Sequence, residues 1–251
     1  MSTDWRQDAG RKGAFARIAL HGNPGTDAGR RLGGQRSLQT HKRKKTGFKL
    51  LRKISFPRPS VQLAELLGIM YGDGHVGTYQ LSITTSSVTD LEHAQYVKEL
   101  LEKHFKVPVS LTIRKAKNVC IILLSSREVC RFFASMGMPI GNKITAGIEI
   151  PQWVHDNQKY KHAVLRGLID TDGCVYQDKH IVKGVAYTST CIAFTSASPE
   201  LIDFVRDTLT AEGYFVTGSG RNIRLRRRGD VLRYASEIGF GNPKHSRKIT
   251  V

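Results

Sequence analysis

Beyond Pro59 the apolar residues follow a plan that occurs twice. Residues 63–74 read Leu-Ala-Glu-Leu-Leu-Gly-Ile-Met-Tyr-Gly-Asp-Gly and residues 162–173 read His-Ala-Val-Leu-Arg-Gly-Leu-Ile-Asp-Thr-Asp-Gly, each an apolar stretch of helical character ending in Asp-Gly. Ile83-Thr84-Thr85-Ser86-Ser87 then leads into an amphipathic helix predicted at about 89–105, and Ala193-Phe194-Thr195-Ser196-Ala197 leads into another at about 199–212. Two short strand-like runs follow in each copy, then a helix near 127–136 or 230–238, and finally Lys-Ile-Thr at 143–145 and 248–250. The repeated unit reads helix, two strands, helix, two strands, helix, over about ninety residues. It divides the chain into a first lobe at 61–150 and a second at 151–251, and predicts an α+β fold with two pseudo-symmetric αββαββα lobes.

Spacing inside the first helix of each copy points to how the lobes meet. Gly68 and Gly72 stand one turn apart, as do Gly167 and Thr171, so each helix offers a stripe of small residues along which two backbones can approach. Such packing brings the helix C-termini together, and with them Asp73 and Asp172, each followed by a glycine able to take the left-handed conformation that ends a helix. A helix C-terminus is the negative end of the dipole, so two carboxylates there repel each other and the local field. A bound divalent cation is the natural compensation.

The first sixty residues differ in kind. They hold 15 Lys and Arg against 3 acids, net +12 of the whole chain's +18, in a segment poor in bulky apolar residues and broken by Gly22-Asn23-Pro24-Gly25, Gly33-Gly34 and Pro57-Arg58-Pro59. Its expected state is a flexible arm. Lys42, Arg43, Lys44 and Lys45 form its densest run, which either is a solvated leader or grips nucleic-acid phosphates. A second basic feature lies at 221–228, where strand alternation puts Ile223 and Leu225 on one face and Arg224, Arg226 and Arg228 on the other, with Arg221 at the start. That face suits the major groove, although charged strands also guard sheet edges. In the first lobe the run 118–124 lacks this comb, and its cations, Arg114, Lys115 and Lys117, precede it. The two halves of a target are therefore expected to be read differently.

Cys120, Cys130, Cys174 and Cys191 contain no C-x-x-C pair and read as reduced thiols. No apolar run approaches the ~20 residues of a membrane span, and the N-terminus lacks a secretory h-region. The expected location is the cytoplasm or nucleoid, or an organelle that encodes the protein.

At Leu66–Gly74 and Leu165–Gly173 the sequence resembles the LAGLIDADG homing endonucleases, and the resemblance covers about residues 61–251. The second copy matches the nine-residue motif closely in its last seven positions; the first departs mainly at the sixth, where Tyr71 replaces aspartate. The resemblance implies a saddle of antiparallel sheets and a monomeric enzyme that cuts a long, pseudo-palindromic double-stranded DNA site, leaving short 3′ overhangs. It implies that Asp73 and Asp172, with the backbone carbonyls of Gly72 and Thr171, bind Mg²⁺, for which Mn²⁺ or Ca²⁺ can substitute in binding. Lys143 and Lys248 take the place of the family's basic residue near each active site, and Ile150-Pro151-Gln152-Trp153 is similar to the inter-lobe linker. His75, next to the first motif, is a strand-start residue or a contact to metal-bound water. The family also contains inteins, RNA-splicing maturases that bind intron RNA, and nuclease-inactive regulators. Met1 in place of Cys or Ser, and Val251 in place of a His-Asn ending, argue against self-splicing.

Overall fold

The computed structural model describes residues 5–23, 25–44, 54–182 and 184–249 and separates the chain into two compact units, Met1–Lys53 and Ile54–Val251. In the first unit, helix α1 spans Trp5–His21 and helix α2 spans Asp27–Lys44. The breakers at Gly22 and Gly25, expected in a flexible arm, make a turn between two helices. Gly22 has φ +76° and its N–H closes α1 on Ile18 O at 2.7 Å, while Asn23 Oδ1 accepts from Gly25 N–H at 2.9 Å. Gly29 is the one buried residue of α2, seated against the Asn23 backbone where no side chain fits. Burial is otherwise slight, with Phe15 and Leu20 exposed, so the described residues of this unit form helices without a sizeable core. His41, Lys42, Arg43 and Lys44 form the last turn of α2, where cations complement the dipole. Lys45 lies outside the described residues.

The second unit carries both copies of the repeat. The first lobe runs α3 (Val61–Asp73), β1 (Gly74–Val76), β2 (Gln80–Ser86), α4 (Leu91–Phe105), β3 (Ser110–Arg114), β4 (Val119–Ser125), α5 (Arg127–Ser135) and a short α6 (Lys143–Ala146). A one-turn helix α7 (Gln152–His155) leads to the second lobe: α8 (Gln158–Asp172), β5 (Gly173–Val182), β6 (Val185–Thr195), α9 (Pro199–Ala211), β7 (Val216–Thr217), β8 (Asn222–Leu225), α10 (Arg228–Glu237) and α11 (Pro243–Ser246). Each lobe contains one four-stranded antiparallel sheet, in the order β1-β2-β4-β3 and its counterpart β5-β6-β8-β7. Equal order in the two sheets is the pseudo-symmetry that the repeat predicts. Helix starts are set by short polar caps: Ser60 accepts from Leu63 N–H at 3.2 Å, and Asn157 from Lys159 N–H at 2.9 Å.

Helices α3 and α8 pack along their small residues at the centre of this unit. A Cβ on Gly68 would sit 3.0 Å from the Val164 Cα and carbonyl carbon, and one on Gly167 would sit 2.7 Å from Ile69 N. Only glycine allows that approach. Gly74 and Gly173, expected to be left-handed caps, are extended instead, with φ −79° and −94°. They are glycines for room: a Cβ would meet the Met70 and Ile169 Cα atoms, each at 2.7 Å. The sheets pack their inner faces, Leu81, Ile83, Ile122 and Leu124 in one and Val175, Ile192, Phe194, Ile223 and Leu225 in the other, into one continuous core. All four cysteines are free.

The lobes differ in reach. Every β2 residue pairs with β4, whereas β6 pairs with β8 only from Ile192 to Thr195, so β5 and β6 continue as a free two-stranded ribbon from Tyr176↔Cys191 to Val182↔Val185.

Candidate active site

The α3–α8 contact delivers Asp73 and Asp172 side by side at the ends of their helices. An added Cβ on Gly72 would lie 2.8 Å from Thr171 Cβ and 3.5 Å from Asp172 Oδ2, so the second carboxylate stands directly over the residue before the first. Burial, then the neighbouring Asp172, raises the Asp73 carboxyl to about 6 against the opposing pull of Lys143 and Lys244. Burial also raises Asp172, with Lys143 opposing.

Lys143, at the start of α6, reaches back to the end of α3. Its Nζ donates to Tyr71 O at 2.8 Å, to Gly74 O at 3.1 Å and, in a short bond, to Gly72 O. Burial lowers its pKa while both aspartates pull it up. The Gly72 carbonyl, expected to be a metal ligand, is thus engaged by this ammonium group, which complements the helix C-terminus. At the other expected carbonyl position, Thr171, the side-chain hydroxyl is turned into its own helix and donates to Gly167 O at 2.9 Å. Gly72, Lys143 and Asp172 line a pocket of about 240 Å³ together with Thr195, Ser196 and Ser198 of the second lobe.

Lys248 does not occupy the equivalent place. It is exposed, beyond the end of α11, and the lysine that acts on Asp73 from the second lobe is Lys244. The matching signal is Gly141-Asn142-Lys143 against Gly241-Asn242-Pro243-Lys244, in which each asparagine caps a short helix. The two Lys-Ile-Thr triplets are a misleading alignment one turn away. Lys244 Nζ lies 2.8 Å from Asp90 Oδ1, which also accepts from Asn242 Nδ2 at 2.8 Å, while Thr85 Oγ1 donates to Asp90 Oδ2 at 2.9 Å. Burial alone would raise Asp90, but these bonds and the Lys244 charge outweigh it and bring it to about 2. Asp90 is a first-lobe residue that sequence reasoning missed, since a helix N-cap aspartate is ordinary by itself. His75 is an exposed residue of β1.

The basic comb of the second sheet is shorter than predicted. β8 ends at Leu225, so Arg224 points away from the core and Arg226 follows the strand, paired with Asp178, while Arg228 opens α10. Arg221 is exposed in the preceding turn. Arg227 caps α10 with its guanidinium 3.5 Å from the centre of the Phe215 ring. Arg114, Lys115 and Lys117 are all exposed at the β3–β4 connection.

Among the described residues no group of three or more His, Cys, Asp or Glu converges to hold a metal ion. Two half-buried hard-oxygen carboxylates, Asp73 raised by burial and then by Asp172, and Asp172 raised by burial, nevertheless fit a hydrated divalent cation that takes few ligands from the protein. This donor set suits a hard, oxygen-binding divalent cation and not a metal that requires nitrogen or sulfur.

A family model described as a LAGLIDADG-like domain matches residues 159–239. Among curated proteins the chain is similar to a tRNA-splicing ligase RtcB of Methanopyrus kandleri, 28% identical over 156 residues that form 56% of this chain and 15% of the relative. It is also similar to a replication factor C small subunit of Methanocaldococcus jannaschii, 28% identical over 134 residues, 49% of this chain and 7% of the relative. The chain therefore spans a small part of the curated relatives it matches. Among solved structures it is similar to meganuclease I-SmaMI bound to uncleaveable DNA, with TM-score 0.51 and 10% identity over 77% of this chain and 88% of that one. It is similar as well to I-DmoI in complex with DNA and Mn, with TM-score 0.47 and 17% identity over 71% and 96% of the two chains. Residues 159–239 match the LAGLIDADG-like domain model, and the body of the chain shares the fold of meganuclease I-SmaMI.

Proposed function

We propose that this protein is a site-specific endonuclease of double-stranded DNA that hydrolyses one phosphodiester in each strand with divalent metal ions, Mg²⁺ foremost. The observation that carries the reading is the pairing of Asp73 and Asp172 at two helix ends, with Lys143 bonded to the carbonyls at the end of α3 and Lys244 paired with Asp90, both lysines acting on Asp73 through their charge. Mg²⁺ held by these carboxylates would supply Lewis acidity and an ordered hydration shell beside the phosphate. Asp73 and Asp172 each serve one strand. Lys143 and Lys244 bring cationic N–H donors to the edge of the site, where negative charge grows on the phosphate oxygens. Arg224 and Arg226 of the second sheet, with Arg114, Lys115 and Lys117 of the first, grip DNA on either side, and the basic end of α2 adds sequence-independent contact. The matched segments lie within much longer proteins of unrelated names, which supports a self-contained module rather than a part of either relative's chemistry.

The test is cleavage of a cognate duplex, selected from a randomised library, by Asp73→Asn and Asp172→Asn proteins in Mg²⁺. Each single variant should nick one strand at most and the double variant should do nothing. Undiminished cutting by the double variant sinks the mechanism. Tight binding of intron RNA without DNA cleavage in Mg²⁺ or Mn²⁺ would favour a maturase.

A further inference from the structure

The outer face of the first sheet has a chemistry opposite to that of the second. In β4 the residues Cys120, Ile122 and Leu124 enter the core, so Val119, Ile121 and Leu123 point the other way, and none of these three is packed against the core. Their cross-strand neighbours are Ser86, Thr84 and Ser82 on β2 and, on β3, Arg114 opposite Val119 with Thr112 and Ser110 opposite Ile121 and Leu123. The sheet thus displays a central row of three branched aliphatics between three hydroxyls on β2 and, on β3, two hydroxyls and an arginine. The corresponding part of the second sheet places Arg224 opposite Ala193 and Arg226 beside Asp178.

This aliphatic row is continuous with the candidate site. His75, two residues after Asp73, is exposed between buried Gly74 and Val76 and pairs with Ser82, so the face starts next to the carboxylate. At its far end stand Arg114, Lys115 and Lys117, suited to phosphate. An apolar row bordered by cations fits a DNA major groove, whose one apolar handle is the thymine C5-methyl; serine and threonine can bond to any base edge beside it.

Resting on the endonuclease reading above, we propose that the first sheet reads thymine methyl groups in one half of the target through Val119, Ile121 and Leu123, while the arginines of the second sheet read the other half. Alternate strand residues lie about 7 Å apart, from a rise of ~3.4 Å per residue. Base pairs are spaced about 3.4 Å along the duplex, so the methyls should recur at roughly every second base pair.

The experiment uses the full chain and the site it selects from randomised duplexes. That site is remade with deoxyuridine replacing thymine in one half at a time, which removes the methyls and leaves every hydrogen-bonding edge intact. The expected result is a loss of about fourfold in affinity per methyl, from the transfer free energy of one such group, confined to one half. Ile121→Asn, a change outside the core, should abolish the deoxyuridine effect at one position of that half. Equal binding of the thymine and deoxyuridine duplexes in both halves overturns the proposal while leaving the endonuclease reading intact. Failure to select any duplex sequence overturns both.

Discussion

Helices α3 and α8 are held at backbone distance, and Gly68→Ala tests that contact. The new methyl would lie 3.0 Å from the Val164 Cα and carbonyl carbon and nearer still to the carbonyl oxygen, where carbons normally rest about 3.5–4.0 Å apart. The obstacle is helix backbone, which has no rotamer to change, so the helices must separate by about 0.5–1 Å. Over-packing of this kind costs about 3 kcal/mol, and the better helix propensity of alanine returns about 1 kcal/mol, leaving a net loss of about 2 kcal/mol. For a unit of this size the melting temperature should fall by about 4–8 °C. Gly229→Ala is the control: it lies in α10, where a Cβ meets nothing within 4 Å, so it should be neutral or slightly stabilising. Urea and thermal unfolding of both variants decide the matter. If Gly68→Ala lies within about 0.5 kcal/mol of the parent, the close-packing argument is wrong.

Four further outcomes are expected. Because Asp73 is raised to about 6, the folded state holds a proton that the unfolded state releases first as pH climbs from about 4 to 6, so stability falls through that window and the penalty is complete above it. Asp73→Asn should then match the parent near pH 3.5 and exceed it by roughly 1–2 kcal/mol at pH 8, with added Mg²⁺ raising the urea midpoint of the parent alone. In steady-state cleavage, Lys244→Ala should lose at least about tenfold more than Lys248→Ala, because only Lys244 acts on Asp73 and Asp90. Tyr71→Phe removes the 2.6 Å bond to Met136 O and should cost about 1–3 kcal/mol in unfolding free energy. Deleting residues 1–53 should leave the circular dichroism of the body unchanged and flatten the dependence of log affinity on log salt; an unchanged slope refutes a role in phosphate binding.

Element types were legible in the sequence wherever periodicity was strong. The helices expected at about 89–105 and 199–212 are α4 and α9, because both carry an unbroken apolar stripe. What the sequence concealed depends on turn geometry and on chain-distant contact. In the glycine-rich leader glycine marks both coil and a tight helix–helix turn, and the contact of Gly29 with Asn23 distinguishes them. Arg228 was assigned to a strand because alternation has no end marker; the strand stops where Arg227 turns to stack on Phe215. Lys244 was hidden by a single inserted proline, which shifted the lysine by one residue and made Lys-Ile-Thr the more conspicuous repeat. The pair at the helix ends could be found because the constraint that creates it, glycine at one-turn spacing, is local.

The departure of the first motif at Tyr71 has a structural explanation that also accounts for the placement of both lysines. In the second lobe the residue at this position, Asp170, accepts from Gly241 N–H at 2.7 Å, in the loop that carries Lys244. In the first lobe Tyr71 donates to Met136 O, in the loop that carries Lys143. The polarity of the bond is reversed, but in both cases a buried side chain of the central helix holds the segment that delivers the lysine. A carboxylate there is costly, since burial raises Asp170 to about 7, whereas a phenol reaches the same depth without a charge to desolvate. The sixth position is therefore better described by the loop it anchors than by its acidity, and Tyr71 satisfies that requirement with different chemistry.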